Sequence, residues 1–269
     1  MDFLRSNFLQ GNLTDLKKFS IVSTRPDLNV SKSIKLKYIS SDEYENLNTY
    51  EYESFDYNIN EFGFRGTDFP TAIDLGAFGC SFTFGQGLSV SHLWHTLVAN
   101  HNKYNVYNFG QPAIGTEVIM KIFSVILKYV RMNYAIFLLP PYHRLNIPVR
   151  YNEEIIEIPV IPNTESRLQK MFSVNSDKIY NYLPEEYIIK TFRDNIYTIE
   201  FLANINNIKT YYSSWDYDTY NILQSMTIKN LLPIWEGGGK LVSDFARDQF
   251  HPGPLHHFTW ANKIKDLIK

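Results

Sequence analysis

From residue 72 onward the chain alternates short apolar runs with longer segments whose apolar residues recur at helical spacing. That alternation marks βαβ units around a mainly parallel sheet, because strands buried on both faces are continuously apolar whereas flanking helices bury one stripe. AIDLGAF (72–78) predicts a first strand, and residues 92–101, with Leu93, Trp94, Leu97 and Val98, predict a helix. YNVYNFG (104–110) predicts the second strand, and residues 117–131, with Val118, Ile122, Val125, Ile126 and Tyr129, a second helix. YAIFLLP (134–140) predicts the third strand, ended by Pro140 and Pro141, neither of which can donate to a ladder. Residues 141–185 carry Pro141, Pro148, Pro159, Pro162 and Pro184 with mixed periodicity, which predicts a long insertion able to overhang a site. Residues 194–204 predict a helix, IKTYYSSW (208–215) a fourth strand and residues 258–268 a terminal helix. The expected fold is a three-layer α/β/α architecture with a mainly parallel central sheet.

Residues 1–68 break this pattern: they are polar, with β-favouring pieces at 34–39 and 50–59, and predict a strand-containing N-terminal extension. NINEFGFRGTDFP closes it, with Gly63 and Gly66 supplying turn chemistry and Pro70 the stop, so residues 69–269 form the expected principal domain. A length of 269 residues lets such a domain bury a full core. A formal net charge of −2 gives no basic excess for a nucleic-acid partner, so none is expected. The N-terminus has an acid at Asp2 and is interrupted by Arg5, Asn7 and Gln10, unlike a secretion signal, and no run reaches the roughly 18 to 20 apolar residues of a membrane span. A soluble, cytoplasmic protein without a membrane partner is expected. A single cysteine, Cys80, excludes an intramolecular disulfide.

Two motifs carry chemistry. GCSFTFGQGL (79–88) follows the first predicted strand directly, and a serine at such a turn can expose its hydroxyl beside backbone N–H groups, as acyl transfer requires. It is not the G-x-S-x-G elbow, since Thr83 stands in place of the second glycine; a glycine-rich phosphate loop or a plain tight turn is the competing reading, although the Lys-Ser/Thr ending of a P-loop is missing. RDQFHPG (247–253) places Asp248 three residues before His251, which can supply a base and the carboxylate that fixes its tautomer. A capping aspartate beside a surface histidine is the alternative.

Taken together, the two motifs resemble the SGNH, or GDSL-like, hydrolase family over roughly residues 72–269. The resemblance implies an SGNH-hydrolase, flavodoxin-like fold in which Ser81 is the nucleophile, His251 the general base and Asp248 its orienting acid. NFGQPAIGT (108–116) is similar to the family's second block, which implies that the N–H groups of Gly110 and Ser81 form the oxyanion hole. Two positions depart from the family pattern. The residue before the serine is Cys80 rather than aspartate, and the G-x-N-D block after the third strand is replaced by LLPPYHRL (138–145). The lost asparagine removes an oxyanion donor of a kind worth about 2.7 to 4 kcal/mol, and Tyr142, His143 and Arg144 are the candidate substitutes.

Cys80 is also a candidate nucleophile, but its place at the end of a strand reads better as a small buried residue facing away from Ser81. His92 with His95, and His256 with His257, have no third ligand at a recognisable spacing, so neither a metal nor an organic cofactor is expected. Arg65 in GFRG is placed to brace the first motif's loop. Trp215, at the end of the fourth strand, is a candidate substrate-stacking residue, as is Tyr217. The expected activity is that of a serine esterase removing an acyl group, acetyl being one candidate, from a carbohydrate or similar ester. A catalytically weak SGNH-like module with a binding or structural role is the alternative.

Overall fold

The structure, a computed structural model, describes residues 57–60, 62–66, 69–151, 154–162, 174–236, 244–246 and 251–269. The strand expected at 34–39 and most of that expected at 50–59 lie outside these residues. Strand β1 (Leu75–Gly79) leads into a one-turn helix α1 (Ser81–Phe84), and α2 (Trp94–Asn102) and β2 (Val106–Asn108) follow. Helix α3 (Thr116–Ile126) precedes β3 (Tyr134–Leu139), then come β4 (Leu145–Tyr151), β5 (Glu154–Val160) and α4 (Ser176–Tyr182). The chain continues through α5 (Glu185–Ile205), β6 (Lys209–Ser214) and α6 (Tyr217–Gln224) to α7 (Pro254–Ile264).

β2, β1, β3 and β6 form a four-stranded sheet in that order, every pair parallel. Period-2 alternation divides the side chains between two cores. Along β3, Ala135, Phe137 and Leu139 enter the core shared with α3 and α5, while Ile136 and Leu138 enter the one shared with α2 and α7. Helices therefore cover both faces, giving the expected three layers. On the α3/α5 face the rings of Phe109, Phe78, Phe137 and Tyr212 stack in strand order, with successive centroids 4.9, 5.0 and 5.2 Å apart.

Several elements differ from expectation in extent: β1 covers Leu75–Gly79 rather than 72–78, β2 only Val106–Asn108 rather than 104–110, and α3 ends at Ile126 rather than at 131. α5 starts at Glu185 rather than near 194, because Pro184 ends the preceding segment and two acids occupy the first turn, where the helix dipole favours them. α7 starts at Pro254, whose fixed φ suits a first helical position. Within the insertion, β4 and β5 form an antiparallel hairpin. Asn146 Oδ1 on β4 accepts the Gly115 N–H at 2.6 Å, tying the hairpin to the loop that opens α3.

This topology determines where chemistry can occur. β1 has β2 on one side and β3 on the other, so the loops leaving β1 and β3 part at a switch in strand order, the crevice where open α/β sheets place ligands. Ser81, Tyr142 to Arg144 and Trp215 all follow carboxyl ends of strands in this sheet.

Candidate active site

Ser81 opens α1 immediately beyond β1, with Cys80 as the residue before the helix. The N–H at the first helical position has no acceptor within its own helix, so it is placed to point outward from the turn. Gly85 ends the helix after one turn in the left-handed conformation, φ 79°, and returns its N–H to Ser81 O at 2.9 Å. An alanine Cβ there would lie 2.2 Å from Leu93 Cδ2. Ser81 is largely buried, at 7% exposure. Cys80 is fully buried in the α3/α5 core, which suits the structural reading of that residue.

Two side chains brace this turn. Arg65 donates from Nη1 to Phe84 O (3.1 Å) and Gly85 O (2.8 Å), and from Nη2 to Leu88 O (2.5 Å). Asn108, at the end of β2, donates from Nδ2 to Thr83 O (2.9 Å) and Phe84 O (3.2 Å). Asn108 Oδ1 in turn accepts the Gly110 N–H at 2.9 Å. The N–H expected to serve the oxyanion is thus engaged within its own loop. Gly110 instead allows close approach, since a Cβ there would lie 2.6 Å from Phe84 N. Asn108 was not singled out from the sequence; its position two residues before Gly110 in the second block was the available signal.

His251 begins a segment that pairs with residues 244–246. Phe245 bridges Pro252, Ala246 N–H donates to His251 O at 2.8 Å, and Gly253 N–H donates to Asp244 O at 3.1 Å. Asp248 lies outside the described residues. The His251 ring packs edge-on against Phe82, the neighbour of Ser81, with centroids 5.8 Å apart. Among the described residues the Ser81 hydroxyl contacts Cys80 Sγ at 4.0 Å.

The same pairing is held by Asp244. Its Oδ2 accepts the Leu255 N–H at 2.8 Å, and its Oδ1 lies 3.3 Å from His256 Nε2. Burial pushes the Asp244 carboxyl up to about 6, against the opposing pull of backbone N–H donors. Burial also lowers His256, so the contact brings together two groups that each disfavour their charge.

The three candidate substitute donors separate. Tyr142 donates its hydroxyl to Glu185 Oε1 at 2.5 Å and its N–H to Thr219 Oγ1 at 2.7 Å, which commits it to α5 and α6. His143 stacks edge-on with Tyr142, and its backbone oxygen accepts the Tyr180 hydroxyl. Burial lowers the His143 imidazole. Arg144 places Cζ 5.5 Å from the Trp215 ring centroid, and Trp215 stacks on Phe82 at 4.7 Å. Of the three, only Arg144 is linked by ring contacts to the residue beside Ser81. Trp215 itself is half-buried next to the serine turn, whereas Tyr217 begins α6 and is exposed.

Among the described residues no group of three or more His, Cys, Asp or Glu could hold a metal ion, and no helix is long and apolar enough to cross a membrane. His95 is buried and held down to about 3 by desolvation first and by Arg65 second. His257 accepts the Trp94 N–H on Nδ1 at 3.1 Å and packs edge-on against Trp235. Both serve the α2/α7 side of the core.

No family model matches the chain, and no curated protein matches it. Solved structures similar to it include a protein provisionally described as lipolytic, of the G-D-S-L family, from Desulfitobacterium hafniense DCB-2. The two share 14% identity at a TM-score of 0.44, over 74% of this chain and 100% of the other. TesA is similar at 12% identity and a TM-score of 0.46, over 73% of this chain and 98% of its own.

Proposed function

We propose that this protein is a serine ester hydrolase that removes an acyl group, acetyl among the candidates, from a carbohydrate or similar alcohol. The observation that carries the proposal is the meeting of two distant segments: Ser81 opens a helix at the carboxyl edge of the sheet, and the His251 ring packs on its neighbour Phe82. In this mechanism the Ser81 hydroxyl adds to the ester carbonyl as its proton passes to His251. Asp248 holds the imidazole in the accepting tautomer and steadies the imidazolium. The Ser81 N–H stabilises the developing oxyanion. Collapse of the adduct expels the alcohol, which takes the proton from His251, and water then cleaves the acyl-enzyme by the same steps. No metal or organic cofactor enters these steps. The hydrogen bond between the His251 ring and the hydroxyl is the one such a mechanism uses in the substrate complex, where catalytic hydrogen bonds tighten.

A second reading, a catalytically weak module with a binding or structural role in a larger assembly, is favoured by one contact: the Gly110 N–H is engaged by Asn108 and so withheld from the oxyanion. An active-site-directed fluorophosphonate and nitrophenyl acetate test the two together. The esterase reading expects a covalent adduct on Ser81 and slow turnover that Ser81→Ala abolishes with the fold intact, while Cys80→Ser keeps most of it. Undiminished turnover in Ser81→Ala refutes the assignment of the nucleophile; labelling without turnover favours the weak module.

A further inference from the structure

We infer that Arg144 and Trp215 form an anchor for a carboxylate or phosphate group on the substrate, beside the scissile ester. The inference deepens the esterase proposal and rests on it for the position of the ester.

The two side chains arrive from different strands of the sheet. Arg144 follows β3 and Trp215 follows β6, and neighbouring carboxyl ends bring them together with Arg144 Cζ 5.5 Å from the indole centroid. Among the described residues the Arg144 guanidinium takes part in no hydrogen bond and no ion pair. Its Nε is nevertheless buried from solvent and unbonded, and so is Trp215 Nε1. Buried N–H donors are almost always bonded in folded proteins, and an acceptor oxygen of a ligand entering beside Trp215 can satisfy both of these at once. Asp216, the carboxylate next to Trp215, does not supply it. Its Oδ2 caps α6, accepting Thr219 N–H at 2.9 Å and the Thr219 hydroxyl at 2.6 Å.

The chemistry of the missing acceptor follows from the donor. A guanidinium presents a planar fork that matches two oxygens of a carboxylate or phosphate, and an aromatic face behind it holds the cation without supplying a counter-charge. The anchor is also close to the chemistry: Trp215 stacks on Phe82 at 4.7 Å, and Phe82 meets both Ser81 along the chain and the His251 ring in space. The back of the Arg144 segment is fixed, because a Cβ on Gly115 would lie 2.2 Å from Arg144 O, so the α3 loop packs directly against its backbone. An acylated acidic sugar and a phosphorylated ester both present the required group.

The test has a binding arm and a kinetic arm. In the first, succinate and methyl phosphate are titrated calorimetrically into the full chain and into R144Q and R144K, each shown to be folded by circular dichroism. At least one anion is expected to bind the wild type, the preferred one identifying carboxylate or phosphate as the source, with affinity reduced at least tenfold in R144Q. R144K, which keeps the charge but lacks the fork, is expected to fall between them and is the working variant if R144Q does not fold. Binding of neither anion, or equal binding by all three proteins, overturns the anchor whether or not the protein cleaves esters. In the second arm, kcat/KM is compared between nitrophenyl acetate and mono-nitrophenyl succinate. R144Q is expected to lower the preference for the charged ester at least tenfold; an equal loss on both esters overturns the inference by making Arg144 an oxyanion donor instead.

Discussion

Around Ser81 the decisive residues are those that hold backbone, not those that touch a substrate. Arg65 is 4% exposed and donates its fork to three carbonyls of the turn after the serine, so the segment at 62–66 is built into that turn. Its guanidinium also lies over the Tyr57 ring at 4.7 Å. A lysine keeps the charge but lacks the fork: Phe84 O keeps Asn108 Nδ2 and Gly85 O keeps the Leu88 N–H, whereas Leu88 O loses its Arg65 donor, and a buried acceptor left unbonded costs about 1 to 3 kcal/mol. Arg65→Lys is therefore expected to lower stability by about 1 to 3 kcal/mol in urea unfolding and to reduce ester turnover with it. Stability and turnover both at wild-type levels would show that the turn holds without the fork. Arg65 was legible as a brace from GFRG alone, whereas Arg144 was legible only as one of three polar residues after a strand. Its distinction from Tyr142 and His143 depends on contacts with α5, α6 and Trp215, none of them near in sequence.

At the level of elements, the segment 244–246, which pairs with the one that His251 begins, is tied to the head of α7 by one carboxylate. Asp244 accepts the Leu255 N–H at 2.8 Å, and a Cβ on Gly253 would lie 2.3 Å from its Oδ2, so glycine is required for this approach. Burial raises the Asp244 carboxyl from 3.8 to about 6, so between those pH values the folded chain holds a proton that the unfolded chain has released. Stability contributed by this group is thus present below about 4 and is lost as pH rises to about 6, by up to about 3 kcal/mol. Asp244→Asn keeps an acceptor oxygen and cannot ionise. Its stability relative to wild type is expected to increase between pH 4 and pH 7 in denaturant titrations. A difference that is flat across that range would show that Asp244 does not titrate in this window.

Across the whole molecule, the four strands are joined on one face by a row of stacked rings, Phe109, Phe78, Phe137 and Tyr212. Phe137 sits in the middle of the row and also meets Phe123 of α3 edge-on at 5.2 Å, so it couples the sheet to its helical layer. Phe137→Ala is expected to cost about 3 to 5 kcal/mol, the range for emptying a buried phenylalanine site. Chemical denaturation measures it, and a loss under about 1 kcal/mol would show that the ring row is incidental to the sheet. Because β1 and β3 bear both the ring row and the loops of the candidate site, the same variant is expected to weaken ester turnover before it unfolds the chain.

Apolar periodicity by itself determined the three layers, the parallel sheet and the order of its main elements, since burial on one or two faces must be written into each local stretch. Short motifs at 79–88 and 247–253 singled out Ser81, Asp248 and His251, and Gly110 entered only through what the family resemblance implies. Tertiary structure alone decided that Gly110 donates to Asn108, that Tyr142 is committed to Glu185, and that Arg144 lies over Trp215. The reason is physical: an N–H or a guanidinium has the same identity in every context, and its partner is chosen only when distant strands end at one edge and their loops compete for the same donors.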